Sequence, residues 1–105
     1  MLNVPKLLPK NMDFHGIIPA WRLSADAKEL SQEFVFVNFK SAFEFMRLSA
    51  QYAEEIDHHP DWSNSWNKVN VRLTTHSMQG LTELDLAMAK AMDRFALQLK
   101  NKPEA

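Results

Sequence analysis

The spacing of apolar residues predicts two strands that follow an irregular N-terminal arm. Residues 1–19 contain three prolines and keep no regular apolar period, so we expect them to be irregular. A short strand is predicted at Trp21–Leu23, and a polar turn follows it. Between Leu30 and Phe39 both alternating faces are apolar, which indicates a strand covered on both sides, or covered on one side by a partner subunit.

A helix is predicted from about Phe39 to Asp57, where apolar residues recur at helical spacing. Its start is capped either by Asn38 or by Ser41 with Glu44 one turn later, and the sequence leaves both open. The helix ends at the His-His-Pro sequence, because a residue before proline is displaced from helical geometry. Two apolar stripes follow its length. The first, predicted to face the sheet, comprises Phe39, Phe43, Met46, Ala50 and Ala53. The second, which would serve self-association or an interface with a partner protein equally well, comprises Phe45, Leu48, Tyr52 and Ile56.

The second half of the chain repeats the order of two strands and one helix. Strands are predicted at Trp62–Trp66 and Val69–Thr75, joined by a tight turn at Asn67 and Lys68. Gly80 interrupts the chain before a final helix. This order indicates an α+β fold with helices packed on one face of a four-stranded antiparallel sheet, and we expect one domain over residues 1–105. The apolar stripe of the final helix comprises Leu84, Met88, Ala91, Phe95 and Leu99.

Composition and charge narrow the functional classes. The formal net charge is −1, so no global field attracts nucleic acid or an anionic membrane. Without cysteine the chain has no thiolate nucleophile, disulfide framework or cysteine-based metal site. Its two glycines are too few for a glycine-rich phosphate-binding loop. No apolar run is long enough for a signal peptide or a membrane span, so we expect a cytoplasmic protein.

The candidate chemistry lies with three of the four histidines. His58 and His59 follow the end of the first long helix, and His76 follows the last strand. Histidine both donates and accepts protons near neutral pH, and the topology allows these three to line one pocket. Trp62 and Trp66 would offer flat apolar walls to a planar heteroaromatic ligand.

These residues carry a resemblance to a known family. Glu54, then His58-His59-Pro60, five residues, Trp66, nine residues, His76, eight residues and Asp85 match the signature of pterin-4a-carbinolamine dehydratases at every position. The flanking sequences HHPDW, LTTH and GLT-x-x-D agree as well, and the resemblance covers roughly residues 21–97. Family members usually have an N-terminal helix before the first strand, which the proline-containing arm of this chain does not predict.

The resemblance implies dehydration of 4a-hydroxytetrahydrobiopterin to the quinonoid dihydropterin, without a cofactor. His58 and His76 would form the acid–base pair, and His59 would bind and orient the pterin. Glu54 and Asp85 would be orienting carboxylates. The pterin would be held by backbone and side-chain groups of Glu54, His58, His59, Pro60, Trp62, Thr75, His76, Ser77 and Met78.

Each of these residues also has a simpler interpretation. Histidines at a helix end often cap carbonyl groups, and Asp85 completes a near capping box with Thr82. Glu54 could simply pair with His58 on the helix surface. The tryptophans could be core residues, Trp66 more so than Trp62. Three histidines with Asp85 also match a zinc ligand set, but adjacent residues in extended chain point to opposite sides, so we expect no metal.

Competing functions of the same fold stay open. Some family members serve as a dimerisation cofactor of a transcription factor, so a non-catalytic coactivator or scaffold module is the alternative to the dehydratase. We expect a small-molecule pterin as the partner, no direct contact with nucleic acid or a membrane, and a homodimer or homotetramer.

Overall fold

The computed structural model describes residues 4–100 and has the predicted α+β architecture. Its four antiparallel strands form one sheet in the order β1-β2-β4-β3, so β2 and β4 are the inner strands. The elements are α1 (Phe14–Ile17), β1 (Arg22–Leu23), β2 (Leu30–Val35), α2 (Phe39–Ile56), β3 (Asp61–Ser65), β4 (Lys68–Leu73), a 3₁₀ turn (His76–Met78) and α3 (Glu83–Lys100).

One face of the sheet is buried and the other is open. In β4, Val69, Val71 and Leu73 are buried while the residues between them are exposed, the alternation of a half-buried strand. Both long helices contact β4 and pack against each other, so they cover the same face. The open face holds a groove of about 740 Å³ whose lining includes Trp62 but none of the three histidines.

The prediction of which side of α2 packs on the sheet is wrong. The side that packs on the sheet and on α3 carries Ala42, Phe45, Ser49 and Ala53, all buried. Phe45 lies within 4.6 Å of Phe34 and 5.0 Å of Phe36, measured between ring centroids, and these contacts fix the rotation of the helix. Of the stripe predicted to face the sheet, Ala53 is buried, Met46 is half-buried, and Phe39, Phe43 and Ala50 are exposed.

Strand β2 ends four residues earlier than predicted. It stops at Val35, and the Oδ1 atom of Asn38 then accepts a hydrogen bond from the Ser41 amide, which makes Asn38 the cap of α2. Val35 and Val37, which were predicted to lie on a second apolar face of this strand, are 45% and 62% exposed and are not covered by any of residues 4–100. Coverage by a partner subunit remains a prediction.

The tight turn between β3 and β4 lies at Trp66 and Asn67, one residue before the predicted position. Asn67 fixes it there, because its backbone oxygen accepts from the Phe36 amide and its side-chain amide donates to the Phe36 oxygen. Trp66 consequently has a φ of 47° and is 65% exposed. The prediction that Trp66 is the more core-like tryptophan is therefore wrong, since Trp62 is the one that packs against the core.

From residue 4 to residue 19 the N-terminal arm is irregular except for the single turn α1, which Asp13 caps through a hydrogen bond from the Gly16 amide. The arm is attached to the rest of the fold just before α3, where the Leu8 amide donates to the Leu81 oxygen at 2.8 Å.

A half-buried carboxylate joins the start of the sheet to α3. The indole Nε1 of Trp21 and the side-chain amide of Gln32 each donate to Oδ1 of Asp93 at 3.1 Å. Burial raises the pKa of Asp93, although these two hydrogen bonds oppose the rise.

Candidate active site

The end of α2 determines where the first histidine lies. Asp57 caps the helix in the left-handed conformation, with φ 52°. The next amide, that of His58, then donates to the Ala53 oxygen at 3.0 Å, and the chain turns away from the helix axis. His58 thus leaves the helix directed toward the start of α3, and His59 and Pro60 lead into β3.

His58 forms a hydrogen bond with a buried carboxylate. Its Nε2 atom lies 2.7 Å from Oδ1 of Asp85, and the exposed fractions of the two side chains are 10% and 0%. His58 therefore pairs with Asp85 and not with Glu54, the surface partner considered from the sequence.

Asp85 also performs the capping role that its sequence context indicates. Its Oδ2 atom accepts from the Thr82 amide at 2.9 Å, as the third residue of a capping box does. The same oxygen accepts from the Thr75 hydroxyl at 2.7 Å. Asp85 lies in the first turn of α3, where the helix dipole favours a negative charge. The Asp85 carboxylate thus caps the start of α3 and also forms the hydrogen bond with His58.

Thr75 connects this carboxylate to the third histidine. It is buried, and its backbone oxygen accepts from the amides of Met78 and Gly80, so the short turn from His76 to Met78 closes on it. His76 and Ser77 are exposed and Met78 is half-buried. The His58 corner and the segment that carries His76 therefore meet at Asp85, although they are far apart in sequence.

His59 has a different partner and a different environment. Its Nε2 atom lies 2.5 Å from Oε2 of Glu54, and the two side chains are 54% and 77% exposed. The adjacent histidines thus separate into one enclosed and one solvent-exposed group. Such a pair suits different tasks, since a buried partner fixes an imidazole more firmly than an exposed one.

The sequence analysis named Thr75 only as a pterin contact and missed the hydrogen bond of its hydroxyl to Asp85, which the alternation of β4 could have indicated. Thr75 continues the buried series Val69, Val71, Leu73, and a hydroxyl on a buried face requires a hydrogen-bond partner. Neighbouring Thr74 instead donates to the Lys28 oxygen at 2.6 Å, outside this cluster.

Within residues 4–100, no three His, Asp or Glu side chains are grouped so that they could hold a metal ion. In the same part of the chain, no helix combines the length and the apolar character needed to cross a bilayer.

Comparison with known proteins gives one consistent family. A family model described as pterin 4 alpha carbinolamine dehydratase matches residues 8–95. The chain is 47% identical over 83 residues to a "putative pterin-4-alpha-carbinolamine dehydratase" of Bordetella avium, covering 79% of this chain and 77% of the relative. A protein of the same description from Rhizobium rhizogenes is 46% identical over 97 residues, covering 90% and 95% of the two chains.

Two solved structures share the fold. The crystal structure of a "transcriptional coactivator/pterin dehydratase" from Brucella melitensis superposes with a TM-score of 0.79 at 37% identity, covering 87% of this chain and 99% of that one. A pterin dehydratase-like RuBisCO assembly factor of the alpha-carboxysome superposes with a TM-score of 0.64 at 24% identity, covering 73% and 89%. The second likeness concerns the fold alone.

Proposed function

Because this chain belongs to the pterin 4 alpha carbinolamine dehydratase family, we propose that it is an enzyme that dehydrates 4a-hydroxytetrahydrobiopterin to the quinonoid dihydropterin. The observation that carries the proposal is the hydrogen bond between His58 and the fully buried Asp85, at the place where the segment of His76 begins. An enclosed imidazole with a fixed partner, beside exposed histidines, provides groups that can move protons at defined positions.

The reaction needs one proton delivered and one removed. The C4a–O bond breaks, the hydroxyl takes a proton and leaves as water, and N5 loses its proton as the C4a=N5 double bond forms. Hydroxide is a poor leaving group, so a general acid is required, and each positioned proton transfer contributes about 10²- to 10⁴-fold in rate. The overall change is neither oxidation nor reduction, and the histidines can supply both transfers without a cofactor.

The two environments support a division of roles among the histidines. His58 and His76 form the acid–base pair, since both segments meet at Asp85. His59, exposed and paired with Glu54, binds and orients the pterin. Asp85 orients His58. The remaining pterin contacts come from Pro60, Trp62, Thr75, Ser77 and Met78. The first amides of the His76–Met78 turn have no hydrogen-bond partner inside that turn, so they can donate to the pterin.

The exposed apolar residues at the end of β2 and the start of α2 support self-association. Val35, Val37, Phe39 and Phe43 are 45 to 62% exposed, and the rings of Phe39 and Phe43 lie 5.7 Å apart between centroids. A second copy of the chain would cover them, in a homodimer or homotetramer. We assign the protein to the cytoplasm and to tetrahydrobiopterin recycling for aromatic amino-acid hydroxylases.

A non-catalytic coactivator or scaffold is the second candidate, favoured by the description of the Brucella melitensis relative as a transcriptional coactivator. The two functions differ in whether the histidines are needed. A coactivator acting through an apolar surface would keep its activity in His58→Ala and His76→Ala variants, whereas a dehydratase would not.

The deciding experiment measures the decay of the 4a-hydroxy intermediate by its absorbance, with purified protein and with those two variants. We expect catalysed decay for the wild type and a large loss in both variants. Decay at the uncatalysed rate in all three samples would contradict the dehydratase proposal.

A further inference from the structure

The Asp85 carboxylate fixes which nitrogen of His58 bears the proton. An ionised carboxylate can only accept hydrogen bonds, and Asp85 has three donors around it: His58 Nε2, the Thr82 amide and the Thr75 hydroxyl. The neutral imidazole must therefore be protonated at Nε2, which leaves the lone pair on Nδ1. Nδ1 is then the nitrogen available to take a proton from a ligand.

A chain of hydroxyl groups holds the other carboxylate oxygen. Thr82 Oγ1 accepts from the Leu84 amide at 3.2 Å and lies 2.8 Å from Thr75 Oγ1, which lies 2.7 Å from Asp85 Oδ2. Thr75 has one proton and uses it on Asp85, so the Thr82 hydroxyl donates to Thr75. Every hydroxyl proton in this buried chain then has an acceptor, which gives the carboxylate a single orientation.

We propose that Thr75 is a positioning residue that acts through Asp85 to hold His58 in the Nε2-protonated tautomer, so that His58 exchanges protons with the substrate at Nδ1. This inference rests on the proposed dehydratase function and adds to it the reacting atom and the residue that fixes it. Thr75 contributes here through its buried hydroxyl, whereas its proposed contact with the pterin is made by backbone groups, which Thr75→Val leaves in place.

Loss of the Thr75 hydroxyl removes the side-chain donor from Oδ2 and leaves the Thr82 hydroxyl without its acceptor. Only the Thr82 amide then holds Oδ2, so the carboxylate is less restrained about its Cβ–Cγ bond, and the imidazole bonded to Oδ1 is less restrained with it. A misplacement of about 1 Å at a reacting group can lower a rate by roughly 100-fold, whereas substrate binding through other groups is unaffected. The structural prediction is a change in kcat with little change in KM.

Thr75→Val tests the proposal, because valine has nearly the shape of threonine and no hydroxyl. We expect kcat to fall roughly 10- to 100-fold with KM little changed, and Thr75→Ser to restore most of it. The matched control is Thr74→Val, since Thr74 loses only its hydrogen bond to the Lys28 oxygen and should keep wild-type kcat. Equal kcat in Thr75→Val and wild type would overturn the proposal, as would a failure of Thr75→Ser to restore it.

The tautomer itself is measured by long-range ¹H–¹⁵N correlation spectra of the His58 ring, at a pH where the ring is neutral. We expect the proton on Nε2 in the wild type and in Thr75→Ser. In Thr75→Val we expect a mixture of tautomers, because the less restrained carboxylate contacts Nε2 only part of the time. A proton found only on Nε2 in Thr75→Val would overturn the role of Thr75. A wild-type proton on Nδ1 would overturn the assignment of the reacting atom. This measurement needs no turnover, so it separates a failure of the positioning proposal from a failure of the dehydratase proposal.

Discussion

The Nε2 atom of His58 lies 2.7 Å from Oδ1 of Asp85, and water reaches neither atom freely, because the carboxylate is fully buried and the imidazole nearly so. Removing one partner of such a pair leaves the other without a substitute from solvent, unlike an exposed pair. The geometry of this contact therefore matters more than that of any other histidine contact among residues 4–100.

Asp85→Asn should reverse the tautomer of His58. The Thr82 amide donates to Oδ2 from a fixed backbone position, so the asparagine oxygen must stay there and its amide nitrogen must face His58. His58 then has to accept at Nε2 and carry its proton on Nδ1. We expect kcat to fall by about 100- to 10,000-fold, measured by the dehydration assay. The control is Asp93→Asn, the same change on the same helix, and a similar loss there would contradict the explanation.

Glu54→Gln should affect substrate binding and leave stability unchanged. Glu54 is 77% exposed, and an exposed pair such as Glu54 with His59 contributes less than about 1 kcal/mol to the free energy of unfolding. Since His59 is the proposed pterin-binding group, we expect KM to rise roughly two- to tenfold, the value of about one hydrogen bond, with kcat nearly constant. Steady-state kinetics test this, and a fall in kcat at unchanged KM would place Glu54 in the proton transfers instead.

The effect of Asp93→Asn on stability should depend on pH. Burial raises the pKa of Asp93 in the folded chain above its ordinary 3.8, so folding is favoured by protonation. The stabilising contribution is complete below pH 3.8 and is lost as pH rises through the folded value. Asparagine does not titrate, and its oxygen can accept from both Trp21 and Gln32 as Oδ1 does. We therefore expect the stability of the variant relative to wild type to increase from pH 3.5 to pH 7.

Urea unfolding at the two pH values measures this difference. Asp93→Leu serves as a comparison, because leucine also does not titrate but removes the acceptor of Trp21 and Gln32. The two unsatisfied donors should lower the free energy of unfolding by about 1–3 kcal/mol, a contribution that does not depend on pH. A relative stability of Asp93→Asn that falls with rising pH would show that the carboxylate is favoured in its charged form.

Phe43→Glu should weaken the proposed self-association and give a smaller species. Phe43 is 56% exposed beside Phe39, and a charge at the centre of an apolar contact between copies would be buried without a partner. Light scattering across a dilution series measures the mass of wild type and variant. The control is Leu97→Glu, which places a charge at another exposed apolar residue, on α3. A wild-type monomer at all concentrations would contradict self-association.

The sequence predicted the order of elements correctly because strand alternation and helical spacing are local properties. It gave the wrong phase for α2, since that helix has two apolar stripes and only tertiary packing selects between them. The contacts of Phe45 with Phe34 and Phe36 make that selection. Similarly, the hairpin turn is set by hydrogen bonds between Asn67 and the distant Phe36, which no local pattern reveals.

The candidate site could be predicted in part. The spacing of the motif named the three histidines and Asp85, and the helix-start pattern of Thr82 to Asp85 indicated a cap. The Asp85 carboxylate both caps α3 and accepts from His58. This combination depends on how α2 and α3 approach each other, which the sequence does not specify. The cluster of Trp21, Gln32 and Asp93 has no signature in the sequence, because its members are far apart in the chain.

The double duty of Asp85 has a consequence for how this protein can evolve. A homologue without enzymatic activity that still needed α3 to begin at Glu83 would retain the aspartate for folding alone. Its presence in a homologous sequence is therefore a weak indicator of activity. The imidazole of His58 makes no comparable contribution to starting a helix. Its replacement in a homologue is therefore the more informative sign that the homologue lacks the proposed dehydratase activity.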